Sequence, residues 1–274
     1  MRPALFVLAV LGTFGGLSEA VRAKDLVRIG GTGIGLRAME RLGEQLADSN
    51  AEIAVHVLPS LGTSGGINAL LGGAIDIALA ARPITPAERQ KGLAQAACMT
   101  TALVFATPKA PANGMDEALT SERLPALYAD PHPLWPDRSP MKIILRSQAG
   151  SEVPYLIEKI PAMAAAFEQA YKRGGLPVSM TDQENVDLAM KIQGSLAITT
   201  LLQIRAENLA LRPLRFDGVD PTAASSADGS YPLPLQMCLF ATGTPAPGAA
   251  RFVAHMKTPN GTALLRGFGA ALNN

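Results

Sequence analysis

The stretch that most restricts how this chain can fold runs from Glu52 to Pro83. Glu52-Ile-Ala-Val-His-Val-Leu58 reads as a buried strand, and Ser60-Leu-Gly-Thr-Ser-Gly-Gly66 is a turn of small residues. Ile67 to Leu71 begins a short helix, and Ile75 to Ala80 is a second apolar strand that stops at Arg82-Pro83. Strand, turn, helix and strand in so short a span predict an α/β sheet. A turn of this kind also has a physical use. Free backbone N–H groups and the positive end of the helix dipole meet there and favour an anion. Glycines let that anion approach the backbone, and Thr63 and Ser64 add hydroxyl donors.

The arrangement recurs twice. Leu26 to Ile29 is a short strand, Gly30-Gly-Thr-Gly-Ile-Gly35 a turn, and Leu36 to Ala47 a helix with Met39, Leu42 and Leu46 on one side. Met141 to Arg146 is a strand and Ser147 to Glu152 a third small-residue turn. Val153 to Arg173 follows as an amphipathic helix, which Pro161 should kink or break and Gly174-Gly175 should close. Three such units aim helix N-termini outward from a sheet edge, where open α/β sheets bind ligands.

Between and after these units the alternation continues. Thr85 and Pro86 cap a helix, and Ala97 to Thr107 is a long apolar strand. Pro108 to Asn113 reads as a linker and as the first crossing between two lobes. A short helix spans Leu119 to Tyr128, and Trp135 reads as a packing anchor. Val178 to Thr181, Gly194 to Thr200 and a segment around Leu214 read as strands. Helices are expected over Gln183–Lys191, Leu201–Asn208, Ala250–Lys257 and Thr262–Leu265. Tyr231 to Thr242 is a second long apolar strand and the return crossing. No internal repeat is visible.

Apolar residues make up 48% of the chain, charged residues 17%, and the formal net charge is +1. That balance gives no support to a nucleic-acid partner or a polybasic membrane patch. At the start, Arg2, the apolar run Ala4 to Leu17, and the small residues at Ala20 and Ala23 read as a cleaved secretory signal over residues 1–23. The run is shorter than the ~20 residues that span a bilayer. Cleavage after Ala20 and after Ala23 both fit, and the mature protein is expected in the periplasm. Cys98 and Cys238 are a candidate disulfide in an oxidising compartment, the alternative being two buried free thiols.

Other chemistries find less support. The glycine turn at Gly30–Gly35 lacks the Gly-Lys-Ser/Thr ending of a nucleotide phosphate loop, and the next strand ends Val57-Leu58-Pro59 without a dinucleotide fold's acidic residue. Gly62-Thr-Ser-Gly-Gly66 fits the Gly-x-Ser-x-Gly pattern of serine hydrolases with Ser64 as nucleophile, and His255 is the only late histidine for it. His56, read inside a buried strand, and His132, in a proline loop, form no metal triad. Asp182 and Glu184 read as a helix N-terminus rather than an acid/base pair.

A strand, the Gly62-Thr-Ser-Gly-Gly66 turn, a short helix and the Ile75-Asp-Ile-Ala-Leu-Ala80 strand together resemble the phosphate-type periplasmic solute-binding proteins of ABC importers. Nearly the whole mature chain follows that layout. The resemblance implies a type II fold of two α/β lobes, each a sheet flanked by helices, with a ligand cleft between them. Lobe one would hold residues 24–107 and 240–274, and lobe two residues 108–239. It also implies a non-enzymatic monomer without cofactor or metal, which captures a small anion, phosphate or a related oxyanion, for a membrane permease. A periplasmic sensor or accessory protein reusing the fold is the alternative.

Carried over position by position, Thr32, Gly33, Ile34 and Gly35 form the first anion-binding turn, and Thr63, Ser64 and Gly65 the second. Arg146, Gly150 and Ser151 belong to the third, and Arg82 is a further candidate cation. Two departures stand out. Ala81 occupies the place of the family's phosphate-selecting aspartate, and Glu152 that of a common threonine. A carboxylate at 152 opposes anion binding unless it pairs with Arg82 or turns to solvent.

Overall fold

A computed structural model describes residues 25–49, 52–108 and 119–273. Residues 1–23, where a secretory signal is expected, and residues 109–113 of the expected linker lie outside the described residues.

The first unit comprises β1 (Asp25–Gly31), a 3-10 turn (Gly33–Gly35), α1 (Leu36–Ser49), β2 (Ile53–Val57), α2 (Gly62–Leu71) and β3 (Ile77–Ala80). It is followed by α3 (Pro86–Gln90) and β4 (Leu93–Pro108), a strand of 16 residues. Next come α4 (Leu124–Ala129), β5 (Lys142–Ile143), β6 (Leu145–Arg146), α5 (Glu152–Lys159), α6 (Met163–Arg173), β7 (Val178–Ser179) and α7 (Asp182–Lys191). The remainder is β8 (Ser195–Thr200), α8 (Leu201–Ala206), β9 (Leu211–Pro213), α9 (Ala223–Ala227), β10 (Pro234–Thr242), α10 (Pro247–Met256), α11 (Pro259–Gly267) and β11 (Ala270–Leu272).

Strand pairing divides these elements into two lobes that share β4. In the first, β1 lies between its parallel neighbours β2 and β3, and antiparallel β10 separates β3 from β4. From Leu93 to Ala102, β4 pairs with β10; from Leu103 onward it pairs with β8 and then β9. In the second lobe β5 pairs with β8 and β6 with β7, both in parallel. The first lobe thus places its first strand between two parallel neighbours. In the second, β5 lies at the end of its sheet beside β8, β6 and β7 form a separate pair, and β4 runs antiparallel to both β8 and β9. Pro108 ends β4, paired with Leu211, so the strand has already changed lobes before the proline-rich stretch begins.

The core follows from strand alternation. Ile77 and Leu79 of β3 face the large cluster with α1, while Ala78 and Ala80 face the smaller one beneath α2. A Cβ on Gly66 would lie 2.5 Å from the Cα of Gly31, so the missing side chain is what lets α2 press against β1. Trp135 is buried, its indole N–H donating to the Gly194 carbonyl at 3.0 Å.

Several local expectations need adjusting. The residues of the Gly62–Gly66 turn are the first turns of α2 itself. β2 is an edge strand rather than a buried one, and its His56 is exposed. Pro161 does break the long helix, separating α5 from α6. The short α9 and β11 carry no periodic signal long enough to read. Among the described residues no helix is long and apolar enough to cross a membrane.

Cys98 and Cys238 face each other in register on β4 and β10 and are joined as a disulfide. It closes a loop of 140 residues and sits in the cluster beneath α2. Replacing both cysteines by alanine is expected to lower unfolding free energy by about 2–4 kcal/mol, measured by urea denaturation, without changing the fold's circular dichroism.

Candidate functional site

A cleft of about 720 Å³ opens where the two lobes meet. The first lobe contributes Thr32, Ser60 to Gly65 and Ala81 to Pro83; the second contributes Arg146 to Glu152, Tyr155 and Met180 to Asp182. Thr63, Ser64 and Gly65 lie in the first turn of α2, whose leading N–H groups have no carbonyl partner within the helix. The Thr63 hydroxyl accepts from the Ala81 N–H at 3.1 Å, which leaves its own proton free to donate. On the facing wall, Gly150 and Ser151 lead into α5.

The three predicted turns are thus brought together unequally. Thr32 lines the cleft, but Gly33, Ile34 and Gly35 are buried behind it. The Ile34 carbonyl accepts from the Thr200 hydroxyl at 2.9 Å and so ties the lobes together instead of facing a ligand. Tyr155 makes a second tie, its hydroxyl donating to the Pro234 carbonyl at 2.6 Å.

Both predicted cations reach the cleft, and both are already engaged. Arg82 holds Glu88 with two parallel bonds of 3.0 and 2.8 Å, and this pair keeps the Glu88 carboxyl at about 2. Glu88 also completes the capping box of Thr85 at the start of α3. Arg146 is 4% exposed. Its Nη1 donates to the Ser179 hydroxyl (3.2 Å) and the Thr181 carbonyl (2.7 Å), and its Nη2 to Asp182 Oδ1 (2.5 Å). The Arg146 carbonyl accepts from the Tyr171 hydroxyl at 2.5 Å, which fixes the strand end from which the guanidinium projects.

Glu152 neither pairs with Arg82 nor turns to solvent. It is 2% exposed, with Oε1 3.6 Å from Arg146 Nη2 and Oε2 buried without a hydrogen-bond partner. Burial raises its pKa, Arg146 opposes that shift, and Asp182 reinforces it.

Asp182 is the residue that sequence reasoning missed. It opens α7, but its carboxylate crosses to the first lobe, where Oδ2 accepts from the Gly33 N–H at 2.6 Å and the Ser60 hydroxyl at 3.2 Å. Its local setting, Thr181-Asp-Gln-Glu184, carries only the signal of a helix start, and the Thr181 hydroxyl indeed caps Glu184.

A hydrolase site is not assembled around Ser64. Ser64 sits within α2 rather than on a tight strand-to-helix elbow, His255 bonds Gln45 at 3.0 Å, and His56 and His132 are exposed; none lines the cleft. Among the described residues no cluster of histidine, cysteine or carboxylates could hold a metal.

The sequence matches the model of the PBP superfamily domain over residues 18–259. The chain belongs to that superfamily. A search of curated proteins finds no match. Among solved structures, a protein from Clostridium perfringens assigned as a phosphate ABC transporter substrate-binding protein, with bound phosphate, is 16% identical, with a TM-score of 0.74 over 91% of this chain and 100% of that one. An ABC-type phosphate transport receptor from Vibrio cholerae gives 19% identity and a TM-score of 0.59 over 90% and 100%. The periplasmic molybdate-binding protein of Azotobacter vinelandii gives 14% and 0.58 over 90% and 100%. These likenesses establish the fold. Family and fold are those of binding proteins rather than enzymes.

Two outcomes follow for a PBP-superfamily site built this way. Arg146→Ala would strand Asp182 and Glu152 in a dry interior and is expected to cost about 3–5 kcal/mol of stability, so binding loss in that variant would be inseparable from unfolding in a denaturation assay. Glu152→Gln should behave in the opposite sense. A carboxyl whose folded pKa is raised supports the fold below its unfolded pKa of ~4.5 and loses that support as pH rises through the folded value. Glu152→Gln is therefore expected to match the parent in urea midpoint at about pH 4 and exceed it at about pH 8.

Proposed function

We propose that this chain is an exported solute-binding protein that captures a small oxyanion, phosphate or a chemical relative, between its lobes and presents it to the permease of an ABC importer. It would work as a monomer in the periplasm, after removal of the segment over residues 1–23. No bond is made or broken in this role, and no cofactor is required.

The observation that carries the reading is the convergence of donors from opposite lobes on one cleft. The first turn of α2, the Ser147–Ser151 turn ahead of α5 and the buried Arg146 guanidinium all face the same space. A micromolar solute requires about 8 kcal/mol of net binding. One guanidinium falls short of that, whereas several desolvated hydrogen-bond donors acting with it suffice. Bound solute would touch both lobes at once, and that contact is what would favour the closed form. The ligands named for the Clostridium perfringens and Azotobacter vinelandii proteins, phosphate and molybdate, are of the class such a cleft would take.

The test is calorimetric titration of ligand-stripped protein with phosphate, sulfate and molybdate. Binding to at least one is expected, and Thr63→Val should weaken it by about tenfold, the equivalent of one hydrogen bond to a charged group. Absence of heat with all three anions would remove the oxyanion reading.

A further inference from the structure

The carboxylate of Asp182 is held as a bound anion would be. It is 4% exposed, and its two oxygens take donors from both lobes: the Gly33 N–H and the Ser60 hydroxyl on one side, Arg146 Nη2 on the other. The site is shaped for it. A Cβ on Gly33 would lie 2.7 Å from Asp182 Oδ2, so glycine is required there for the carboxylate to reach the backbone. The bridge also divides the space between the lobes. Ser60 and Thr181 line both the cleft described above and a second cavity of about 580 Å³ on the far side, with Leu36, Pro59, Gln183 and Glu207.

We propose that Asp182 is the internal occupant of the oxyanion seat. It latches the lobes together when no solute is bound, and an incoming solute must displace it. This rests on the oxyanion-binding reading and adds a rule of selection to it. A tethered carboxylate competes at an effective concentration of roughly millimolar or more. A free monocarboxylate offers two oxygens to the same three donors and gains nothing in the exchange. A tetrahedral oxyanion brings further oxygens, which the Thr63 hydroxyl and the first N–H groups of α2 can engage in the adjoining cleft. Asp182 therefore excludes small carboxylates and admits phosphate-like anions.

Chemical rescue tests the latch. Asp182→Ala, titrated with acetate and with inorganic phosphate, is expected to bind acetate in the roughly millimolar range, where the parent protein shows none. Its phosphate affinity should rise by about tenfold or more for want of the tethered competitor. Hydrogen exchange at the Gly33 amide supplies an independent readout: fast in Asp182→Ala, slowed again by acetate, and slow in the parent without any additive. Asp182→Asn keeps the shape and loses the charge, so it provides the phosphate comparison if the alanine variant does not fold. Acetate without effect on Gly33 exchange, or phosphate bound by the parent and bound no more tightly by either variant, would overturn the proposal. Acetate rescue without phosphate, sulfate or molybdate binding by any form would uphold the latch and defeat the oxyanion reading instead.

Discussion

A guanidinium taken out of water must find a partner for each of its charged faces, and this requirement at Arg146 organises the middle of the molecule. The β6–β7 ladder sets Ser179 opposite Arg146 and brings Thr181 and Asp182 with it, and Glu152 joins them from the start of α5. Once Asp182 is oriented by Arg146, its second oxygen is free to reach Gly33 and Ser60. A local desolvation problem in one lobe thereby becomes a contact between lobes. Glu152 is the part of this cluster that is not fully satisfied, and burial raises its pKa against the opposing pull of Arg146.

Absent side chains matter as much as present ones. Gly66 lets a helix approach a strand backbone, and Gly33 lets a carboxylate approach an amide. Both glycines were read as features that admit a ligand. At Gly66 the visitor is the neighbouring strand, and at Gly33 it is the chain's own aspartate. A small-residue turn signals close approach in general and does not say what approaches.

What could be read from sequence was local. Helical spacing in α1, the proline break between α5 and α6 and the cap at Thr85 all depend on residues within a few positions of each other, and all appear in the structure, whereas the Gly62–Gly66 turn became the start of α2. The cysteine pair was legible as a candidate because of its number and compartment, though not as directly facing residues in adjacent strands. The commitments of the charged residues were hidden. Asp182 meets Gly33 across 149 positions, and nothing near either residue announces the other. Arg82 and Glu88 are close in sequence, yet the helix start at Thr85 and Pro86 gave no sign that Glu88 is the counter-ion of Arg82. Most of the candidate residues therefore line one cleft, while their electrostatic state depends on pairings that only the folded chain makes.

The strand β4 has a mechanical meaning that its pairing pattern alone does not convey. It passes from one lobe to the other unbroken, exchanging partners between Ala102 and Leu103 while remaining extended. A continuous strand has no slack, so it can link two moving bodies only by bending and twisting, as a leaf spring does. Motion about its midpoint swings each residue in proportion to its distance from that point, and a small rotation there is magnified at the rim of the cleft. Any relative motion of the lobes would pass through this strand, which would then act at once as joint and as restoring element.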